Sequence, residues 1–443
     1  MTTDLSKARG FLCRLLENQS QDDMVQQLEP HHHPPAAKVV SGSHITPETV
    51  ERRWQHLPAA PGEREALLDP QTCHGMDSYQ HNIENFIGTV KVPVGVAGPL
   101  RVNGLFAQGD YYLPLATTEA ALVASYSRGA QLISKVGGCT AMLINEGVSR
   151  APGFAFTTIS QAGQFVAWAV TRQEEFRRAA EATTRHGRLL DMKVTVEANH
   201  VYLSFEFLTG DASGQNMVTI ATDAICSYIR EHSPVKPRYH FVEANLSGDK
   251  KASAQSFLAV RGRKVTAEVV IPAELVQKTL HTTSRRMEDY WRMSALGGVL
   301  SGTIGVQGHY ANGLAALYIA CGQDAACIAE SAVGVTRFEV TENGSLYAAV
   351  TLPNLIVGTV GGGTGLPSQQ ACLRLLGLAG PDKARALAEV CAGLSLAGEL
   401  SIIGALASGD FTRAHQRLAR GRGAETAKEH REPAGTEGGS DAE

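Results

Sequence analysis

The chain has 443 residues, of which 43% are hydrophobic and 19% charged, with a formal net charge of −4. Such a chain is globular and long enough for two or three domains, and its mild acidity with scattered Lys and Arg argues against a nucleic-acid partner. Its eight cysteines form no C-x-x-C pair and mostly sit in apolar segments, which predicts reduced thiols and no metal site.

Residues 1–40 are polar and weakly patterned, with one short helix suggested by Leu12, Leu15 and Leu16. A His31-His32-His33-Pro34-Pro35 linker follows. The segment from Ile45 to Trp54 predicts a helix with Thr46 as N-cap and Pro47 as its first residue. Next comes a valine-rich strand, 90–100, interrupted by prolines and glycines. It leads into Pro114-Leu-Ala-Thr-Thr-Glu119, where Thr117 or Thr118 should cap a helix carrying Glu119 in its first turn. Apolar neighbours would favour a protonated carboxyl there. A simple helix-dipole carboxylate explains the same pattern equally well.

Residues 152–243 have a distinct rhythm. A strand at 154–159 and a helix at 161–180 precede two alternating strands at 192–197 and 201–207. A helix at 216–228 and a strand at 239–242 complete it. That order is β-α-β-β-α-β, the ferredoxin-like split pattern. The predicted fold is therefore α+β: a large, mostly helical domain (41–151 and 244–416) with this small domain inserted. The flanks, 1–40 and 417–443, are expected to be flexible. Gly210 to Met217 would place bare N–H groups at the start of the second helix of the insert, as an anion site or as an ordinary βα turn.

Asp249-Lys250-Lys251 concentrates charge after an apolar strand. Residues 265–271 alternate as a half-buried strand, and 272–292 reads as one helix. Asp324 interrupts an apolar helix, where an unpaired charge is costly. An apolar run at 352–357 precedes four glycines at 361, 362, 363 and 365, and Pro367 then opens a helix. That loop matches neither a P-loop nor G-x-G-x-x-G, so on its own it is an anion cradle or a tight turn. No stretch reads as the ~18 apolar residues of a membrane span. Residues 295–320 come closest, broken by Gln307 and His309. No signal peptide is visible, which leads to the expectation of a cytoplasmic protein without membrane contact.

Taken together, ENFIG (84–88), PLATTEAALVAS (114–125), GDASGQNM (210–217), DKK (249–251), HYAN (309–312), IACGQDAA (319–326), GTVGGGTGLPSQQACL (358–373), AGELSIIGALASG (397–409) and RAH (413–415) resemble the hydroxymethylglutaryl-CoA reductases, nearer the class I, NADPH-preferring branch. The resemblance covers roughly 75–420. It implies reduction of an acyl-CoA thioester to an alcohol by two hydride transfers, with NADPH preferred over NADH, and release of CoA. Lys250 would stabilise the carbonyl oxygen and Glu119 would supply a proton. Asp324 would couple the two, and His415 would protonate the departing thiolate. Ser125, Arg128, Asp249, Lys251, Arg292, His309 and Asn312 would meet substrate, with Ser125 facing His415.

Thr184 and Arg185 would hold the cofactor's 2′-phosphate. Asp211, Gly214, Gln215, Asn216 and Met217 would meet its body, along with Gly361, Gly362 and Gly363. The family completes its site across a subunit interface, which implies a homodimer or larger assembly. This sequence departs from the family at Ala155 (an arginine there), Glu243 (a substrate-contacting serine) and Arg292 (a lysine). These changes imply a weaker carboxylate pocket, with Arg150 re-aimed toward it. They leave open a reductase of another acyl-CoA. A silent CoA-binding protein is disfavoured by the intact Glu119, Lys250, Asp324 and His415.

Overall fold

A computed structural model describes residues 4–17, 19–30, 34, 38–59 and 62–409. The His31–His33 run, His415 and the 417–443 tail lie outside these residues. The chain divides into two compact units, 1–89 and 90–443.

The first unit is helical. Thr46 caps helix Pro47–Trp54 through a reciprocal capping box with Thr49, and Pro47 is its first residue, as the sequence predicts. Arg53 on that helix is 1% exposed and makes four hydrogen bonds. Its guanidinium donates to the carbonyls of Val40, Gly42, His44 and Phe86. It thereby satisfies backbone groups that burial would otherwise strand.

The second unit mixes sheet and helix. Its strands are β1 (Val94–Gly104), β2 (Gln108–Ala116), β3 (Cys139–Arg150), β4 (Gly153–Ala155), β5 (Arg188–Glu197), β6 (His200–Leu208), β7 (Tyr239–Phe241), β8 (Gly262–Ile271), β9 (Val335–Val340) and β10 (Leu346–Leu355). The sheet runs β7-β4-β6-β3-β8-β10-β9, with β5 beside β6 and the β1–β2 hairpin joined to β3. Among the described strand pairs, β1–β3 alone is parallel, with one further parallel bridge between Val306 and Val335. Strand β3 belongs to two cores. Most of it pairs with β8, and its last three residues, 148–150, pair with β6.

The smaller core lies on β4–β7 under helices Ile159–Ala169, Gln173–Glu181 and Gln215–His232. The single helix expected over 161–180 is two. The Thr171 hydroxyl bonds the Trp168 carbonyl at 2.7 Å and competes with continued helix. The 272–292 segment also splits, into Ala273–Leu280 and Ser284–Ser301. His281 turns left-handed and Thr283 caps the second helix by accepting from the Arg286 N–H. The larger core, expected to be mostly helical, draws on sheet as well as helix. Strands β1–β3 and β8–β10 supply much of it.

At its centre lies helix Ala384–Ser408, with 21 of its 25 residues buried. Its mean hydropathy reaches 1.8 over an 18-residue window, enough to cross a membrane by composition, and 89% of that window is buried inside the protein. The apolar maximum therefore falls here rather than at 295–320. Its small residues allow close approach. A methyl on Gly129, in helix Leu122–Lys135, would sit 1.9 Å from the Ala397 carbonyl oxygen. Glu389 is wholly buried and accepts from the N–H groups of Leu105, Phe106, Ala107 and Leu143, which clamps the β1–β2 turn and β3 to this helix.

Candidate active site

The 243–251 connection leaves the small core after β7 and carries Lys250. Asn245, Gly248 and Lys250 all have left-handed φ, at 64°, 72° and 56°. For the two that are not glycine, this costs about 1–2 kcal/mol each. Surrounding bonds hold the strained shape. Glu243 Oε1 accepts from the Asn245 N–H at 2.7 Å, and its Oε2 accepts from the Ser247 hydroxyl at 2.8 Å. The Lys250 N–H donates to Glu330 Oε1 at 3.0 Å.

The ammonium of Lys250 thus points at Asp324, with Nζ 2.7 Å from Oδ2. The hydrogen bond to Asp324 raises the Lys250 pKa above its ordinary value against an opposing effect of burial. Burial alone would raise the Asp324 carboxyl. The Lys250 bond and charge, together with the Ala326 N–H, outweigh it and hold the carboxyl below its usual range. The pair is therefore charged on both sides through neutral pH. Its contribution is complete below the ordinary lysine pKa and fades only as pH rises through the raised value. On the acid side it is complete above the ordinary carboxylate pKa and fades only as pH falls through the lowered one. A kcat/KM profile should accordingly show no inflection from this pair between about pH 5 and 9. A lysine-type inflection near pH 8 that vanished in Lys250→Arg would contradict the assignment.

Asp324 does not interrupt a helix. Helix Tyr310–Ala320 has already ended, and Asp324 caps the 3-10 turn Ala325–Cys327 through the Ala326 N–H. Beneath the pair lies a charged network. Asp249 accepts from Arg150 at 2.9 Å and from Arg261 at 2.7 Å, and Arg261 bonds the fully buried Glu330. Gln215 Oε1 accepts from Arg261 at 2.6 Å.

A second cluster is built from Glu119, Asn312 and His309. Glu119 does not lie in a helix. The Thr117 hydroxyl accepts its N–H, the helix starts at Leu122 after a left-handed Ala121, and Glu119 is exposed, not surrounded by apolar groups. Asn312 Nδ2 lies 3.5 Å from both Glu119 Oε1 and His309 Nδ1. His309 Nε2 lies 3.0 Å from the Gly398 carbonyl, which fixes that nitrogen as the protonated one and leaves Nδ1 to accept from Asn312. The ring stacks on buried Tyr126 at 5.2 Å, and the backbone on either side is held by Glu399, which accepts the Gly308 and His309 N–H groups. Among the described residues no hydrogen bond joins Glu119 to the Lys250–Asp324 pair.

Other expected positions scatter. Ser125 Oγ lies 2.8 Å from Ser401 Oγ, and Arg128 donates to the Ser401 hydroxyl and carbonyl. Lys251 Nζ bonds the Asp249 carbonyl. Arg292 pairs with Glu288 along its own helix. Arg150 is 5% exposed and engaged by Glu243, Asp249 and Gln215, so it is not aimed at open space. Ala155 ends β4, buried at 2% exposure.

In the 210–217 turn, Gly214 is left-handed at the start of the 18-residue helix Gln215–His232, with Asn216 exposed and Met217 half-buried. Asp211 is occupied within the protein. Its carboxylate accepts the Asp382 and Ala384 N–H groups and its carbonyl accepts the Thr359 N–H. This ties the 210–217 turn to the glycine loop and to the N-terminus of helix Ala384–Ser408. Thr184 Oγ1 accepts the His186 and Gly187 N–H groups, and Arg185 is exposed. Gly361 and Gly362 are exposed with left-handed φ of 74° and 55° and open space where a Cβ would stand. Gly363 instead abuts the Gly322 carbonyl. Pro367 opens helix Pro367–Leu375 as expected. Gly362→Val should therefore cost only local strain, about 1–2 kcal/mol, read as a small fall in the urea midpoint.

The description Hydroxymethylglutaryl-coenzyme A reductase belongs to the family whose sequence model matches residues 49–420. The 3-hydroxy-3-methylglutaryl-coenzyme A reductase of Aeropyrum pernix is 46% identical over 361 residues, covering 80% of this chain and 84% of its own. That of Pyrococcus horikoshii is 43% identical, with coverage of 80% and 86%. Among solved structures, the class II 3-hydroxy-3-methylglutaryl-CoA reductase of Streptococcus pneumoniae bound to NADPH superposes with a TM-score of 0.61 at 20% identity, covering 82% of this chain and 97% of that one. That likeness is one of fold. The chain belongs to the hydroxymethylglutaryl-CoA reductase family.

Proposed function

We propose that the protein reduces hydroxymethylglutaryl-CoA to mevalonate and CoA, using two equivalents of NADPH. The observation that carries this reading is the 2.7 Å Lys250–Asp324 pair on a strained loop, in a chain of this family. A cation fixed in place and kept charged is what a carbonyl oxygen needs as negative charge develops on it. Lys250 fills that role and Asp324 holds its position and charge. Glu119 delivers a proton, with Asn312 and His309 setting its orientation. His415 is assigned the protonation of the CoA thiolate, on the RAH motif.

Bound NADPH supplies hydride. The 210–217 turn, with its left-handed Gly214 and a long helix behind it, and the exposed glycines 361 and 362 suit a pyrophosphate, because bare N–H groups and backbone can approach it. Exposed Arg185, beside Thr184, suits a 2′-phosphate. The β4–β7 order, with β7-β4-β6-β5 antiparallel neighbours and helices between them, supports reading 152–243 as a ferredoxin-like insert. The large domain is then 41–151 with 244–416. Ser125, Arg128, Asp249, Lys251 and Arg292 are assigned to the substrate side on the motifs alone, as is the class I placement. A homodimer completing the site, in the cytoplasm, belongs to the same reading.

The test is a purified-protein assay followed at the nicotinamide absorbance, with hydroxymethylglutaryl-CoA against an uncharged acyl-CoA and NADPH against NADH. The expected result is two NADPH consumed per CoA released, with hydroxymethylglutaryl-CoA preferred. A faster uncharged thioester, or no oxidation at all, would overturn the reading.

A further inference from the structure

Glu243 sits where the resemblance to the family leads one to expect a substrate contact, yet its carboxylate is spent on its own loop. Oε1 takes the Asn245 N–H at 2.7 Å, at the first left-handed residue of the connection. Oε2 takes the Ser247 hydroxyl at 2.8 Å, the Ala151 N–H at 3.3 Å and Arg150 Nη1 at 3.3 Å. Ser247 passes the constraint onward, because its Oγ accepts the Asp249 N–H at 3.3 Å. Asp249 is the residue before Lys250 and is itself held by Arg150 and Arg261. The end of β3, which carries Arg150, is thereby joined to the loop that presents the ammonium. A loop with three left-handed residues keeps that shape only when such bonds over-determine it.

We infer that Glu243 is a positioning residue: it holds the 243–251 loop in the strained form that presents Lys250, and it does not line the acyl pocket. This rests on the reductase reading for its kinetic consequence, but not for its structural one. If Glu243 instead faced substrate, its charge would oppose a carboxylate, and removing it would tighten binding. The two readings therefore predict opposite movements.

The experiment compares the full-length protein with Glu243→Ser and Glu243→Gln. Steady-state rates are measured with hydroxymethylglutaryl-CoA and NADPH, and limited trypsin cleavage is measured after Lys250 and Lys251 without substrate. The serine variant should lose on the order of 10- to 100-fold in kcat, with the KM for hydroxymethylglutaryl-CoA nearly unchanged. Its cleavage at the two lysines should rise by about tenfold or more, tracking release of the loop. The glutamine variant keeps one acceptor oxygen and should fall between serine and wild type in both readouts. A KM that drops with kcat preserved, or cleavage equal to wild type in both variants, overturns the inference. If wild-type protein oxidises no NADPH, the reductase reading fails, and the cleavage result still decides the role of Glu243. Should the serine variant not fold, the same two readouts on the glutamine variant decide it.

Discussion

Lys250→Ala is expected to lower kcat for hydroxymethylglutaryl-CoA reduction on the order of 10²- to 10³-fold. The geometry sets that size. The ammonium is fixed 2.7 Å from Asp324 by a strained backbone, and the neighbouring Lys251 ammonium is engaged by the Asp249 carbonyl at 2.9 Å. Arg150 and Arg261 are nearly buried and committed to Asp249, Glu243 and Glu330. Stability should barely change. Both partners of the pair are more than a third exposed, at 42% and 39% for their side chains, and exposed pairs contribute about 0–1 kcal/mol. Turnover and urea midpoint should be measured on the same preparation. NADPH oxidation at the wild-type rate would remove Lys250 from the mechanism. A large loss of stability would show instead that the residue is structural.

The second large effect concerns stability alone. Gly129→Ala should destabilise the protein by about 3 kcal/mol or more, because the added methyl meets the Ala397 backbone 1.9 Å away and neither helix can yield. Helix Leu122–Lys135 leads directly out of the Glu119 turn, and Ser125 and Arg128 on it contact Ser401 on the facing helix. Separation of the two helices should therefore lower activity as well. Chemical denaturation measures the first effect. A midpoint equal to wild type would mean that the contact between helices is looser than described.

Much of this was legible in the sequence, for identifiable reasons. Alternation at 265–271 gave β8, Thr46-Pro47 gave a helix start, and Pro367 gave another, because each signal is local and owes nothing to distant residues. The β and α order of 152–243 was also readable, although its first helix breaks at a threonine whose hydroxyl bonds backwards. What escaped depended on tertiary partners. Glu119 and Asp324 looked like helix residues because their flanks are apolar, whereas both stand in turns where threonine or aspartate oxygens take backbone N–H groups. Glu330, Glu389 and Glu399 are wholly buried acids in apolar runs, and the rule that singled out Asp324 applied to them equally well. Their partners could not have been named, since they lie 60 or more positions away: Arg261 for Glu330, the β1–β2 turn for Glu389, and Thr336 and the His309 loop for Glu399. Glu243 shows the same limit, because its meaning depends on which way one carboxylate turns.

The helix at 384–408 has a bearing on how the protein comes to exist at all. It packs against β1, β3, β8 and β10 and against helix Leu122–Lys135, all of which leave the ribosome earlier. Until residue 384 and the two dozen that follow have been delivered, the parts of those strands that this helix covers stay open. A chain still short of residue 384 therefore leaves open the apolar faces that this helix covers, although its β4–β7 core is already complete in sequence. The last described helix then arrives as a ready-made plug that is itself greasy enough to be mistaken for a bilayer segment. Glu389 and Glu399 give that plug an address. Each needs a particular set of N–H groups, found only in the finished sheet and loops, so the helix is rewarded for entering its own protein and penalised for staying in lipid.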